Sequence, residues 1–436
     1  MLHVYFNNLK FFQLLKTLKF ATVVITFTLN MVAADNKPPI ISSEDSQPTK
    51  LYSCLTERYR DVGALFSDKC KESCRPYWLL SLDGGGVRAF MHLLSIDRIE
   101  NITNTPISEL VDGISGTSAG GVLACLLTMK DPRTMRPKYF AKDLLDAMVP
   151  TRDQMFIKRW SSLWGVLGPR YRSRPLERYL SNFFGDDKFQ LRSVPVVVVT
   201  HDLSSYSERL IASTDSSNYL TRDVAMAALS APTFFSPKVL KSISMPSESH
   251  LLMDGATVMD NPVLAGISLL QETYGVHLKH INVLSFGTGT SAATHNSEEL
   301  INSGFFGWGK KIVPICREGQ LSTTDNLAKF YLKDRYHRFQ PVLGEGNLHL
   351  VDTSDEYLAI TRSAQLKMLK DRNDEVIKIA AQLSEVAKVK ETQRRPIVLK
   401  TNPRPVAFPK RSFSTMAASY FTPSNLQAIR KFVFRR

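Results

Sequence analysis

Tyr77-Trp78-Leu79-Leu80-Ser81-Leu82-Asp83-Gly84-Gly85-Gly86-Val87-Arg88 is a short apolar run that stops on an acid and three glycines. Six residues of this composition, bounded by a glycine turn, read as a strand. A helical pattern follows from about Phe90 to Glu100. The same alternation recurs outward along the chain. Val111-Asp112-Gly113-Ile114-Ser115 reads as a short strand leading to Gly116, with an apolar helix after Ser118. Val194 to Thr200 is a continuous β-branched run, and Ile281 to Phe286 is another that ends on Gly287-Thr288-Gly289. Strands alternating with helices predict an α/β domain with a mainly parallel sheet. Helical periodicity returns from about Asp355 to Lys390.

The chain has 436 residues, 43% hydrophobic, enough for a large core. Its formal charge is +14, but ten of those charges lie in residues 392–436 and three in residues 1–34, two stretches without a single Asp or Glu. The rest is nearly neutral, so the body is not expected to bind nucleic acid. In residues 1–34, Lys10, Lys16 and Lys19 precede the apolar run Phe20 to Leu29 and the small residues Val32-Ala33-Ala34. This reads as a secretory signal or other targeting segment, with a cytoplasmic protein carrying an amphipathic helix as the alternative. Residues 35–75 read as a polar linker and N-terminal extension, 76–370 as the main domain, and 371–436 as a C-terminal helix and basic tail. In the tail, Leu426, Ile429, Phe432 and Val433 could form the apolar side of an interfacial helix capped by Ser424. Five cysteines, Cys54, Cys70, Cys74, Cys125 and Cys316, are too few for a disulfide scaffold and lack zinc-ligand spacing, so no metal site is expected.

Three motifs carry chemistry. Gly116-Thr117-Ser118-Ala119-Gly120 is a G-x-S-x-G between a strand and a helix. A nucleophilic serine needs such a turn, because it pushes Oγ outward while the flanking glycines let backbone and helix approach. Asp83-Gly84-Gly85-Gly86-Val87-Arg88 offers consecutive backbone N–H groups to an oxyanion, with a positive charge alongside. No Gly-Lys-Ser/Thr follows, which argues against a P-loop, and the dinucleotide spacing is not met. Met253-Asp254-Gly255-Ala256 is a turn that by itself is common. The histidines have no matching context for a triad, but a carboxylate can serve a serine directly as base.

Together the three motifs resemble the patatin-like phospholipase family, and the agreement continues through Ala231-Pro232-Thr233-Phe234-Phe235, Asn261-Pro262, Ser285 to Gly289 and Arg338-Phe339-Gln340-Pro341. The resemblance covers roughly residues 76–370. It implies a three-layer α/β/α fold and a metal-free lipid acyl hydrolase without a cofactor. It also implies Ser118 as nucleophile on an elbow of Gly116 and Gly120, Asp254 as base, and an oxyanion hole at Gly84, Gly85, Gly86 and Arg88. The implied partners are a phospholipid or other glycerolipid and a membrane surface. A non-catalytic effector on the same scaffold, or an esterase of another acyl ester, are the alternatives. Two departures stand out: Asp260 where a second Asn is usual, and His201 before Asp202-Leu203. Neither is expected to touch the Ser–Asp dyad.

Overall fold

A computed structural model describes residues 75–159, 168–291, 312–344 and 349–393, with isolated positions at 301, 304 and 308. The expected targeting segment, the linker up to residue 74 with its three cysteines, and the basic tail beyond residue 393 lie outside the described residues.

The run Tyr77–Leu82 is strand β1, at the middle of an eight-stranded sheet. It pairs in parallel with β2 (Gly113–Thr117) on one side and, through six consecutive residues, with β7 (Ile281–Phe286) on the other. Strand β3 (Val196–Asp202) lies beyond β2, and β8 (Tyr336–Phe339) lies beyond β7, both parallel to their neighbours. The remaining strands, β4 (Ser207–Ala212), β5 (Lys238–Lys241) and β6 (Ser249–Asp254), are antiparallel and gather around β3.

Helices cover both faces, and for that reason the central strands are buried on nearly every residue rather than on alternate ones. Along β1, Trp78, Leu80 and Leu82 enter the larger core with α1 (Phe90–Thr103) and α2 (Ala119–Leu127), while Leu79 points into a second core. That second core is built with α6 (Val263–Tyr274) and α7 (Ile312–Leu332). Along β3, Val196 and Val198 join the first layer, and Val197 and Val199 meet Ala265 and Leu269 of α6. The first layer also takes α3 (Ala141–Met148), α4 (Ser173–Phe184) and α5 (Thr221–Ala228). This is the expected three-layer α/β/α architecture.

Three features depart from the sequence reading. The second strand begins at Gly113 and runs to Thr117, two residues later than expected. The periodic stretch 355–390 is two helices, α8 (Asp355–Asp371) and α9 (Asn373–Gln393), broken at Arg372. The core does not stop at residue 370: Val376, Ile379, Leu383 and Val386 of α9 are buried in the main cluster. Burying each contributes at least about 1.5 kcal/mol, so α9 supplies roughly 6 kcal/mol or more. That is comparable to the whole stability of a domain, and it makes α9 part of the core rather than an appendage.

The register around β3 positions the site. One edge of β3 is paired with β4 throughout, from Val197 to Asp202. Its other edge is shared. Strand β2 occupies it as far as Thr117 opposite Val199, and β6 arrives from the opposite direction with Asp254 opposite Thr200. The C-terminal ends of β2 and β6 therefore meet, and the residue after Thr117 is Ser118.

Candidate active site

Ser118 turns the chain from β2 into α2 at φ 53° and ψ −129°, a conformation that side chains other than glycine rarely adopt. Strain of this kind is what a serine elbow stores to expose its Oγ. Close packing holds it. A Cβ on Gly120 would stand 2.3 Å from the Leu82 carbonyl oxygen, and one on Gly116 would stand 2.5 Å from the Gly120 carbonyl oxygen. Both elbow glycines are thus required by backbone contact.

The Ser118 hydroxyl donates to Asp254 Oδ2 at 2.7 Å, and both residues are buried, at 7% and 3% exposure. The second carboxylate oxygen of Asp254 accepts the Ala256 N–H at 2.9 Å, so the side chain is fixed at both oxygens. Gly255 lets this turn press against β3, since a Cβ there would lie 2.4 Å from the Val199 carbonyl oxygen. Burial pushes the Asp254 carboxyl up to about 7, against the hydrogen bonds from Ser118 and Ala256; neighbouring Asp260 pushes the same way.

The glycine loop is fixed one polar group at a time. The Asp83 N–H donates to the Phe286 carbonyl, and the Asp83 carbonyl accepts from His92 Nε2 at 2.9 Å. Burial takes His92 down to about 4, so it is a neutral imidazole that carries its proton on Nε2. Arg338 grips the Asp83 carboxylate with both terminal nitrogens, at 2.8 and 2.5 Å. The Gly84 carbonyl accepts from Thr288 Oγ1 at 2.8 Å and Arg317 Nη2 at 3.2 Å. Among the described residues, the N–H groups of Gly85, Gly86 and Ala119 take no partner. Donors left open beside a nucleophile are what an oxyanion requires.

Gly84 is different. Its N–H is engaged by the Asp260 carbonyl at 3.1 Å, and a Cβ on it would stand 3.2 Å from Ser118 Cβ. Gly84 therefore brings the loop against the serine, and its N–H, unlike those of Gly85 and Gly86, is already engaged. Arg88 is 1% exposed, and none of its guanidinium nitrogens has a hydrogen-bond partner among the described residues. The charged groups acting on it include Arg317, Asp260 and Glu318, and burial brings it down to about 10.

The two departures also lie closer to the dyad than the sequence suggests. Asp260 is 1% exposed, pairs with Arg317 at 2.5 Å and lies against Gly84. His201 Nδ1 meets Thr257 Oγ1 at 2.9 Å, and that hydroxyl donates to the Asp254 carbonyl. Sequence reasoning missed Asp260, Thr288, Arg317 and Arg338 as loop-holding groups. Arg338 and Thr288 stand inside stretches that carry the family resemblance, which was the available signal; Arg317 had none.

An apolar cavity opens beside the elbow. Gly86 and Ala119 line it, together with Leu123 of α2, Leu176 and Leu180 of α4, and Phe235. Tyr179 carries the one polar side chain in that lining. Among the described residues no cluster of His, Cys, Asp or Glu is arranged to hold a metal, and no helix is long and apolar enough to cross a membrane.

A strained serine joined to a buried carboxylate on a three-layer sheet, with open backbone donors and an apolar cavity beside it, is the kind of site found in serine acyl hydrolases. Residues 80–267 match the family model for patatin-like phospholipases. Patatin-like protein 4 of Arabidopsis thaliana is 27% identical over 273 residues, 54% of this chain and 67% of that protein. Another relative, named probable inactive patatin-like protein 9 of the same plant, is 25% identical over 59% of this chain and 72% of its own length. Among solved structures, VipD from Legionella pneumophila aligns over 73% of this chain and 76% of its own with 11% identity and a TM-score of 0.31.

The state of Asp254 has a consequence in pH. A carboxyl at about 7 is protonated, and so useless as a base, below that pH. With a neutral soluble ester, kcat/KM is expected to fall about tenfold per pH unit below a midpoint near 7 and to level off above it. Stability runs the other way. The folded state holds a proton on Asp254 between the ordinary carboxylate range and 7 while the unfolded chain does not, so this group's contribution is lost as pH rises through 7. Asp254→Asn removes that slope. A pH–rate midpoint near 4 would show that the base is another group or that Asp254 is not shifted.

Proposed function

We propose that the protein is a lipid acyl hydrolase, of phospholipase A or lysophospholipase type, working at the surface of a membrane on the acyl esters of glycerolipids. The observation that carries this reading is the 2.7 Å hydrogen bond from Ser118 to a buried Asp254. Asp254 takes the hydroxyl proton as Ser118 Oγ attacks the ester carbonyl. The N–H groups of Gly85 and Gly86, joined by that of Ala119, receive the tetrahedral oxyanion, with the Arg88 charge behind the loop. Collapse expels the lipid alcohol, which leaves with the proton held by Asp254, and the acyl chain remains on Ser118. Water then gives its proton to Asp254 and attacks the acyl-enzyme; collapse releases the fatty acid, and Ser118 Oγ takes the proton back from Asp254. The same carboxyl serves both halves, so no third group is needed. The apolar cavity beside Ala119 supports an acyl chain as the bound portion.

The test is product analysis on mixed glycerolipid vesicles, with and without a chelator. Wild type is expected to release free fatty acid and the deacylated lipid at the same rate in both, and Ser118→Ala to release neither. Release by wild type that Ser118→Ala matches would remove the dyad. No release from any lipid or soluble ester would favour a non-catalytic role on the same scaffold.

A further inference from the structure

The main body of the chain is close to neutral, yet between Ile157 and Arg178 it carries six basic residues and one acid. The acid, Glu177, faces Lys238 at 3.3 Å. The basic residues are brought together by backbone. Lys158 bridges Tyr171 antiparallel, with Arg159 N–H donating to Arg170 O and Arg172 N–H to Ile157 O. Helix α4 begins directly after, at Ser173. The result is a surface hollow lined by Arg159, Tyr171, Arg172, Arg174, Arg178 and Ser236. Arg172, Arg174 and Arg178 are exposed, and no ion pair among the described residues engages them.

Arg172, Arg174 and Arg178, without an ion pair among the described residues, repel one another, and guanidinium is the group best shaped to grip phosphate oxygens. Two observations indicate which phosphate. First, α4 has two working faces. Arg174 and Arg178, four residues apart, point to the hollow, while Leu176 and Leu180 line the apolar cavity beside Ser118. Second, one wall separates the two spaces. Tyr171 lines the hollow and stacks on Phe234, and Phe156 and Phe235, both lining the cavity, pack against it. A phosphate held by these arginines thus lies across a single aromatic wall from the acyl cavity. That is the arrangement of a headgroup plane beside a chain-accepting opening, which a free anion or an RNA strand would not need.

We propose that the Arg159–Arg172–Arg174–Arg178 hollow binds the phosphates of anionic phospholipids in the bilayer surface, and so docks the enzyme with its acyl cavity toward the lipid. This deepens the lipid hydrolase reading and rests on it. Its arginines are different residues from those of the dyad and of the basic tail.

The experiment uses the full chain with vesicles of phosphatidylcholine alone or of equal parts phosphatidylcholine and phosphatidylglycerol, at low salt. Amide hydrogen exchange is followed locally, so that attraction of the ten basic residues of the tail to anionic vesicles is not counted. Slower exchange at residues 157–159 and 170–174 is expected on the anionic vesicles only. In Arg172→Glu/Arg174→Glu/Arg178→Glu that protection should disappear. Half-saturating lipid for vesicle hydrolysis should rise tenfold to roughly a hundredfold, as about 1 kcal/mol per basic residue requires. Turnover of a soluble short-chain ester should not change, which also shows that the variant is folded and the dyad intact. The triple Lys variant, which keeps the charge, should restore most of the vesicle response. Wild-type protection or hydrolysis on anionic vesicles by the Glu variant overturns the proposal. The same holds if inorganic phosphate reproduces the protection, which would make the ligand a free anion, or if a single-stranded RNA gives it while vesicles do not. Loss of activity on the soluble ester in wild type would instead overturn the hydrolase reading, with the exchange result standing by itself.

Discussion

Ser118→Ala is expected to lower ester hydrolysis on the order of 10⁴-fold or more, and adding Asp254→Asn is expected to lower it little further. The Ser118 hydroxyl has its proton acceptor at 2.7 Å, and a proton must leave Oγ as the new bond forms. With either partner gone, the other has no separate task, so the losses do not multiply. The cycle is run on a soluble ester above pH 7, where Asp254 is ionised. Folding is not the confounder here. Asn at 254 keeps the acceptor oxygen and removes a buried charge, so the single variant should melt no lower than wild type at pH 8. Multiplicative losses across the two positions would mean that Ser118 and Asp254 act independently.

Gly120→Val should be nearly as damaging by a different route. Even a Cβ at this position would lie 2.3 Å from Leu82 O and 2.6 Å from Asp83 O, and both obstacles are main chain. The elbow and the glycine loop must then move apart, carrying the Ala119 N–H away from those of Gly85 and Gly86. A displacement near 1 Å at donors of this kind costs about 10²-fold in rate or more, and overpacking of this sort costs about 1–3 kcal/mol of stability. Gly275 is the useful control. It ends α6 at φ +64° with open space around it, so Gly275→Ala meets strain but no neighbour. A loss of about 1 kcal/mol with normal kcat is expected there. Thermal melts and kcat on the soluble ester separate the two cases. A Gly120→Val enzyme with ordinary kcat would mean that the contact between elbow and loop does not set the donors.

The sequence alone carried the parts of this protein whose physics is local. Apolar runs such as Leu79–Leu80 and Val196–Val199 announce strands covered on both faces, because each residue meets a core whichever way it points. Gly116, Ser118 and Gly120 announce an elbow, because few residues tolerate that backbone and that closeness. Where a group acts through partners distant in the chain, only the tertiary structure could decide. Strands β4 to β6 alternate weakly and run antiparallel, and their register on β3 is what brings Asp254 to Ser118, 136 residues away. Helix α7 lacks a clear apolar stripe, so its Arg317 gave no sign of reaching Asp260 and the Gly84 carbonyl. Asp260 looked like a harmless substitution until burial made its charge felt at Asp254. The same limit hid the arginine hollow. Composition shows an almost neutral body, and the cluster of positive charge appears only once a backbone bridge sets Lys158 against Tyr171 and the turn of α4 lines up Arg174 with Arg178. Propensity and pattern act over a few residues, whereas electrostatics and strand register act over whatever distance the fold closes.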